Sequence, residues 1–468
     1  MTQLKKELNQ TSVWSLAVGA IIGWGAFVLP GNKFLPDAGP LGTLIAMSLS
    51  AIMMMIIAKN YGVMIHRYPK AGGEFTFAYI GFDRFHAFFA AWFLGLSYLS
   101  IVPLNATALG LITRAMFPGV FQQGLLYTIA GWNVYLGEVI LASVSIMLIA
   151  YLNHKGVKLF GKFASLLALV LVGGVVLLML WALFSPLASL SNLQPAFSSS
   201  KPPLEGILAI IAIAPWAFVG FDTIAQASEE MKFDVRKSAK LMIFSIIVGA
   251  FIYSLLTLIT AMVGPWETFI VDNANWATGS AVSVIAGDVG LLILGLAILS
   301  AILSGLNGFM HASSRLFYAM AKTNALPSSF EVLHPKTQTP TVALLFIAVV
   351  SLIAPWIGRA ALLWIVDMAS VGAAIGFFYT SASTIVLAHR HKEDQELQSN
   401  RLFGYLGSLF SLFFVALLLI PNSPVSLQLP SLIALGVWSV LGLIFFIRAT
   451  HYRQSDEPSL SKKFRGEA

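Results

Sequence analysis

The stretch GAIIGWGAFVLPG, residues 19–31, combines glycine with apolar residues in a way that suits the binding of a small charged molecule. Four of its thirteen residues are glycine, although glycine inside a helix costs about 1 kcal/mol relative to alanine. Gly23 and Gly25 let the backbone leave the helix and let a ligand approach without meeting a β-carbon. The half-helix after such a break points N–H groups at a carboxylate, and the half-helix before it offers carbonyl oxygens to an ammonium group or a sodium ion. One break can therefore hold both ends of an α-amino acid.

Close helix packing is the alternative explanation of these glycines. Gly19 and Gly23 have the small-xxx-small spacing by which helices approach each other closely in membranes. A second interruption, APWAFVGFD at 214–222, favours the binding site, because packing does not require two breaks five spans apart. An unwound segment within the membrane persists only where it lines protein or a water-filled cavity.

Asp222 directly follows the second interruption and is the ionisable residue with the clearest candidate role. A carboxylate inside a membrane span is costly, and by default it marks a pathway, a proton relay or a counter-ion. A desolvated carboxylate can take up a proton in one conformation and release it in another. Two alternatives stay open: Asp222 only caps unwound backbone, or it is the counter-charge of a cationic substrate.

The elements that must position these residues are membrane-spanning helices. Of the 468 residues 57% are hydrophobic and 10% are charged, whereas soluble domains carry about 25% charged residues. Runs of about 20 apolar residues, enough to cross about 30 Å of hydrocarbon, recur along the chain. We predict an all-α membrane protein with twelve spans, at about residues 12–34, 41–62, 85–113, 127–151, 160–184, 205–227, 241–264, 287–314, 341–357, 361–387, 403–421 and 430–448.

The distribution of basic residues predicts the orientation of these spans. With a cytoplasmic N-terminus, all of the 28 Lys and Arg residues lie on the cytoplasmic side except Lys33, Arg114, Lys201 and Arg359. Basic residues favour cytoplasmic loops, so we expect both termini, residues 1–11 and 449–468, in the cytoplasm of a multi-pass protein of the cell (inner) membrane. The net charge of +7 therefore orients the protein and does not indicate nucleic acid as a partner. Because the chain has no cysteine, it has no disulfide and no thiolate metal site.

The two interruptions also suggest internal symmetry. They lie in the first and sixth spans, so two halves, 12–184 and 205–387, would have opposite orientations in the membrane, followed by two extra spans within 403–448. Paired broken helices in inverted halves indicate the binding site of a secondary transporter. A separate stretch, RYPKAGGEFTFAYIGFDRF at 67–85, alternates aromatic and polar residues and predicts a helix along the cytoplasmic interface.

Four motifs in order resemble the amino acid–polyamine–organocation (APC) superfamily of permeases. They are GAIIGWGAFVLPG, YPKAGGEFTFAY at 68–79, WAFVGFDTIAQASEEMK at 216–232, and the stretch from NGFMHASSRLF to HPKTQTPTVAL at 307–344. The resemblance covers nearly the whole chain. It implies a LeuT-type fold, that is, a five-plus-five inverted repeat with discontinuous helices 1 and 6 and two C-terminal helices, and transport of an amino acid or amine by alternating access.

The resemblance also implies roles for individual residues. The substrate carboxylate would bind the backbone of Ile22, Gly23, Trp24 and Gly25, and Trp216 would be an aromatic gate. Carbonyl groups near three further residues would take the amino group: Ile21, Ala214 and Phe218.

The sequence leaves two candidates for the ion that drives transport, H⁺ and Na⁺. Some relatives place a lysine thirteen residues after the lysine of GVK, but Leu171 stands at that position here, so lysine-based coupling is in doubt. Ser313 and Ser314 offer oxygens to Na⁺, although hydroxyl groups bonded to their own helix are commoner. We expect no other metal and no cofactor.

Three further residues have weaker candidate roles near the cytoplasmic end of the sixth span and in the eighth. Glu229 and Glu230 form either an inner gate with Lys or Arg residues or a solvated helix end, and His311 is a proton carrier or a packed helix residue.

Other classes of function fit the sequence less well. It has no H-E-x-x-H or G-x-S-x-G motif of an enzyme and no carbonyl-filter sequence of a channel. We therefore predict a permease or exchanger for an amino acid, coupled to protons or working by exchange. The alternatives are a polyamine or cationic amino acid carrier and, in another class, an amino acid sensor that does not transport. The expected partners are the lipid bilayer, the substrate, and H⁺ or Na⁺.

Overall fold

The computed structural model describes residues 4–452 apart from 130, 422, 424 and 425, and it leaves the side chains of 359–367 and 449–452 undescribed. The predicted cytoplasmic tail beyond residue 452 lies outside the described residues. The described helices are α1 (Gln10–Ile21), α2 (Gly25–Leu29), α3 (Leu35–Arg67), α4 (Glu74–Gly81), α5 (Arg84–Met116), α6 (Leu136–His154), α7 (Val157–Phe184), α8 (Pro203–Ile211), α9 (Ala214–Phe218), α10 (Thr223–Gln226), α11 (Ser238–Ala261), α12 (Trp266–Asp272), α13 (Ala277–Lys322), α14 (Thr341–Ile357), α15 (Arg359–Arg390), α16 (Gln395–Leu419) and α17 (Leu429–Tyr452).

The surface of this helical bundle is apolar and its interior contains polar groups. Within the described residues, nine helices are long and apolar enough to cross a membrane, and Thr341–Ile357 is a shorter apolar helix. Leu169 and Ile353 are exposed on the outside, whereas Asn60 and Asn153 are buried. A surface in contact with lipid requires this arrangement, because hydrocarbon cannot satisfy polar groups. The prediction of an all-α membrane protein is confirmed in this general form.

Glycines set the kinks in the long helices. The chain is helical without a gap from Gly25 through α2, a five-residue π-helix and α3, except that Gly39, next to Pro40, has a φ of 71°. A β-carbon on Gly39 would lie 2.7 Å from the backbone of Phe197, so only glycine fits there. In α13, Gly287 has a φ of 56° and marks a second kink. The predicted start of the eighth span, residue 287, coincides with this kink.

The predicted start of the fourth span is wrong. The strands β1 (Leu125–Ile129) and β2 (Trp132–Tyr135) pair antiparallel as a β-hairpin, and the helix begins only at Leu136. The sequence LLYTI is apolar and rich in strand-forming residues, and periodicity alone does not separate such a short run from a helix. Gly131, with a φ of 76°, provides the turn.

The predicted interfacial helix exists, but it is packed inside the protein and is not exposed on its surface. Gly72, with a φ of 93°, and Gly73, with a φ of 41°, turn the chain just before α4. The residues that follow, from Glu74 to Ala78, are fully buried. Aromatic residues alternating with polar ones therefore fill the protein interior here, and α4 packs against α5 and α15.

Candidate substrate and coupling site

The first break lies between α1 and α2. Helix α1 begins with an N-cap at Asn9, whose side chain accepts a hydrogen bond from the Ser12 N–H at 2.8 Å, and it ends at Ile21. Ile22 leaves the helix with φ −91° and ψ 78°, and the next helical run begins at Gly25. The backbone thus leaves the helix where the glycines predict, and the helical run that starts at Gly25 continues to Arg67.

The glycines of the motif GAIIGWGAFVLPG have different surroundings, so each is required for a different structural reason. A β-carbon on Gly25 would lie 2.5 Å from the Trp216 ring, whereas one on Gly23 would have its nearest neighbour, the Asn105 Oδ1, at 3.5 Å. Gly19 packs closely against Ser304. Packing therefore explains Gly19 and Gly25, and the space beside Gly23 is consistent with a backbone that a ligand approaches.

The second break lies in the sixth span and touches the first. Helix α8 ends at Ile211, α9 covers only Ala214–Phe218, and α10 starts after a non-helical stretch, 219–222. Within that stretch Gly220 has a φ of 128°, and a β-carbon there would lie 2.7 Å from the backbone of Ala20 and Ile21. The tertiary structure therefore brings the two interruptions together. We call this region, residues 21–25 and 219–222, the break site.

Aromatic rings cover the break site. Trp24 and Trp216 meet edge to face with ring centroids 5.8 Å apart, and Trp216 is partly exposed. Phe218 is fully buried and contacts the ring of Tyr253, whose hydroxyl lies 3.5 Å from the Ile21 carbonyl oxygen. The neighbours of this region are mainly apolar and aromatic, as in sites for small molecules.

Asp222 is fully buried at the end of the second break. Its Oδ2 accepts a hydrogen bond from the Tyr98 hydroxyl at 2.6 Å, and its Oδ1 accepts one from the Gly220 N–H at 2.7 Å. The hydrogen bond to the Gly220 N–H caps unwound backbone, as expected from the alternative in which Asp222 has only this capping role. In the described part of the chain no Lys, Arg or His forms an ion pair with Asp222.

Sequence reasoning missed two polar groups near the break site. Asn105 of α5 is buried, and its Oδ1 has no hydrogen-bond partner and faces Gly23 and Gly305. Glu74 of α4 is also fully buried and bonds to Tyr61. An asparagine and a glutamate within apolar stretches are the signal that could have identified both.

Glu230 lies in a buried ion cluster at the end of the sixth span. Its Oε1 is 2.6 Å from an Arg315 terminal nitrogen, and its Oε2 is 2.7 Å from the His311 Nε2. We call Glu230, His311 and Arg315 the inner cluster. The N–H groups of Glu7 and Leu8 both donate to the Glu230 carbonyl oxygen at 3.0 Å, so the N-terminal segment is attached to the same point.

The remaining candidate residues have other contacts. Glu229 accepts a hydrogen bond from the Ala71 N–H at 3.0 Å. The Ser313 and Ser314 hydroxyls donate to carbonyl groups of their own helix, α13, each at 2.7 Å. Leu171 is buried in α7. Sodium binding at the two serines stays a prediction.

One family of known proteins matches nearly the whole chain. A sequence model of that family, described as amino acid permease, matches residues 8–446. The chain belongs to the amino acid permease family.

The permease is similar to several curated proteins. It is 25% identical to the branched-chain amino acid permease BcaP of Bacillus subtilis (strain 168), over 95% of this chain and 92% of that protein. It is 27% identical to the human large neutral amino acids transporter small subunit 2, over 88% of this chain and 75% of that protein. It is 25% identical to the vacuolar cationic amino acid transporter 4 of Arabidopsis thaliana, over 85% of this chain and 66% of that protein.

The family settles the broad function of the chain. The permease is a multi-pass membrane protein and an amino acid transporter. The expected resemblance to the APC superfamily is confirmed, and so is the predicted transport of an amino acid. These relatives are named as permeases or transporters, so transport is favoured over an amino acid sensor.

Proposed function

We propose that the permease moves a neutral L-amino acid by alternating access and binds it at the break site. The observation that carries this proposal is the contact between the two breaks, at Gly220 and the backbone of Ala20 and Ile21. The substrate carboxylate would lie against the backbone of residues 22–25, where a long helical run begins and its positive dipole end favours an anion. The amino group would bind carbonyl oxygens near Ile21, Ala214 and Phe218.

The aromatic cover supports an apolar substrate side chain. Trp24, Trp216 and Phe218 present mainly hydrocarbon, and Trp216 is the partly exposed ring that a gate would need. The names of two relatives refer to branched-chain and large neutral amino acids.

A cationic substrate is the second candidate, because another relative is named for cationic amino acids. Asp222 would be its counter-charge, but both of its oxygens already accept hydrogen bonds. The neutral substrate is therefore the stronger proposal.

The fuller architecture is part of the same proposal. Twelve spans would form two inverted halves, 12–184 and 205–387, followed by two helices within 403–448, with both termini in the cytoplasm of the cell membrane. The two helix breaks five spans apart and the bias of Lys and Arg residues support it.

The binding proposal predicts which compounds stabilise the purified full-length protein. We expect L-leucine, L-isoleucine or L-phenylalanine to raise the apparent melting temperature in a dose-dependent way, and the amines made by removing their carboxyl groups to have no effect. A ligand at about 100 times its Kd adds about 2.7 kcal/mol to the free energy of unfolding. Stabilisation by amines or polyamines alone would contradict the carboxylate site. Counterflow of labelled substrate in liposomes then separates transport from sensing.

Coupling is proposed to use protons at Asp222, and Asp222→Asn tests it. Uptake by the unmodified protein in proteoliposomes should fall as the external pH rises, because the buried carboxylate then loses its proton. The variant should lose this pH dependence and retain exchange. Loss of affinity for cations, with neutral substrates unaffected, would instead indicate a counter-ion. Unchanged binding, transport and pH profile would exclude both roles.

A further inference from the structure

A second buried carboxylate faces α10, the helix that starts just after Asp222. Glu74 is the first residue of α4 and is fully buried. Its Oε1 accepts a hydrogen bond from the Tyr61 hydroxyl at 2.8 Å, and its Oε2 accepts one from the Gln226 side-chain amide at 2.7 Å. Both donors are neutral. Among the residues that the structure describes, no Lys, Arg or His forms an ion pair with Glu74.

A charge buried without a counter-charge is costly, and two such charges close together are more so. Glu74 and Asp222 interact electrostatically through the interior, and the ionisable groups that face them are Tyr61 and Tyr98. None of these neighbours is positively charged. The pair therefore favours states in which at least one carboxyl carries a proton.

The two carboxyl groups hold the same segment of the sixth span. Gln226 follows Asp222 by four residues, one helical turn, so both residues move with α10. Asp222 bonds to Tyr98 of α5, whereas Gln226 bonds to Glu74 of α4. Any movement of α10 away from α4 and α5 breaks both hydrogen bonds. Protonation of either carboxyl replaces a hydrogen bond to a charged group by a weaker bond to a neutral group, so it loosens the attachment of this segment.

The partners of Glu74 can bond to it in both protonation states. The Gln226 Oε1 is buried and has no hydrogen-bond partner, whereas its Nε2 donates to the carboxylate. A half-turn of the amide would present this oxygen to a carboxylic acid, which donates a proton in place of accepting one. The Tyr61 hydroxyl also bonds in both states, but it bonds more strongly as a donor to the charged form than as an acceptor from the neutral one.

We propose that Glu74 is a second proton-binding site of the permease, coupled to Asp222 so that the two carboxyl groups release their protons in two separate steps. A carboxyl O–H bond forms when the proton arrives and breaks when it leaves, with no other covalent change. This inference rests on the proposed coupling to protons. It adds that the affinity of α4 for the sixth-span segment depends on the charge of Glu74.

The test compares Glu74→Gln with the unmodified full-length protein and with the control Glu205→Gln. Glu205 is exposed in the first turn of α8, so its loss should leave buried proton binding unchanged. Infrared difference spectra recorded across a pH titration report protonated carboxyl groups without any need for transport. We expect Glu74→Gln to lose one buried carboxylic-acid band, and its uptake of L-leucine in proteoliposomes to lose one titration step. The control should retain both.

The outcomes separate this inference from the proposed function. If Glu74→Gln matches the unmodified protein in spectrum and pH profile while Asp222→Asn does not, Glu74 is no proton site and the role of Asp222 stands. If uptake does not depend on pH at all, the proposed coupling fails, and the infrared titration still decides whether Glu74 binds a proton.

A second variant covers the case in which Glu74→Gln does not fold. Tyr61→Phe keeps the carboxyl group and removes one donor to its charged form, so Glu74 should hold its proton more tightly. Its infrared titration should move up by about one pH unit. An unchanged titration in Tyr61→Phe would overturn the proposal.

Discussion

Gly220→Ala is expected to lower the free energy of unfolding by about 3 kcal/mol or more. Gly220 has a φ of 128°, and a β-carbon there would lie 2.7 Å from the backbone carbonyl carbon of Ala20 and from the Ile21 nitrogen. Backbone atoms of a packed helix cannot rotate away as a flexible side chain can. The variant must therefore separate the two breaks, and it should also lose stabilisation by L-leucine. Thermal unfolding of the purified protein, with and without the amino acid, measures both effects.

Gly119→Ala is the matched control for this variant. Gly119 also has a positive φ, 81°, but a β-carbon there would meet no atom within 4 Å. It should therefore show only the backbone cost of alanine in this conformation, about 1 kcal/mol, and keep its response to L-leucine. Equal destabilisation by the two variants would mean that the φ angle, and not the contact between the breaks, makes Gly220 necessary.

Arg315→Met is expected to cost about 3–5 kcal/mol of stability, because it leaves the buried Glu230 carboxylate without its main counter-charge. The side chains of Arg315 and Glu230 are each 1% exposed, and the guanidinium contacts both carboxylate oxygens, at 2.6 and 3.2 Å. Water cannot replace such a partner. The melting temperature and the denaturant midpoint of the purified protein measure the loss.

Two further variants define the origin of that loss. Arg315→Met combined with Glu230→Gln should recover most of it, since neither charge then remains buried alone. Arg67→Met removes an arginine that pairs with Asp394 and Glu396 at a partly exposed position, and it should cost less than about 1 kcal/mol. If Arg315→Met is as mild as Arg67→Met, then His311 suffices to compensate Glu230 and the inner cluster does not depend on Arg315.

The inner cluster connects three distant parts of the chain. Glu230 ends the sixth span, Arg315 and His311 belong to α13, and the N–H groups of Glu7 and Leu8 bond to the Glu230 carbonyl oxygen. An opening at this end of the protein would have to separate these groups. The sequence offered a choice between an inner gate and a solvated helix end, and the burial of Glu230 excludes the solvated end for that residue.

Several features could be predicted from the sequence because they depend on local properties of the chain. The length of an apolar run and the need to satisfy backbone groups in lipid fix where helices can cross a membrane. Glycine and proline mark where a helix is interrupted, so both breaks, at residues 22–24 and 219–222, fall within the predicted stretches. The buried position of Asp222 also follows, since it lies inside an apolar span.

Other features needed the tertiary structure because local pattern does not determine them. Short apolar runs are ambiguous, so a helix was expected from about residue 127, where the chain instead forms the strands β1 and β2. Alternating aromatic and polar residues fit a membrane surface as well as a crowded interior, and only the turn at Gly72 and Gly73 directs α4 inward. The burial of Glu74 was not predicted, because the same alternating pattern also fits a helix whose glutamate is exposed.

By itself, the sequence determined that this is a helical membrane protein with two broken spans and a buried carboxylate beside the second break. Only the tertiary structure decided which buried side chains bond to one another. Asp222 meets Tyr98 across 124 residues, Gln226 meets Glu74 across 152, and Arg315 meets Glu230 across 85. Contacts at such separations arise from the packing of whole helices against one another, and no local pattern of residue types encodes which faces will meet.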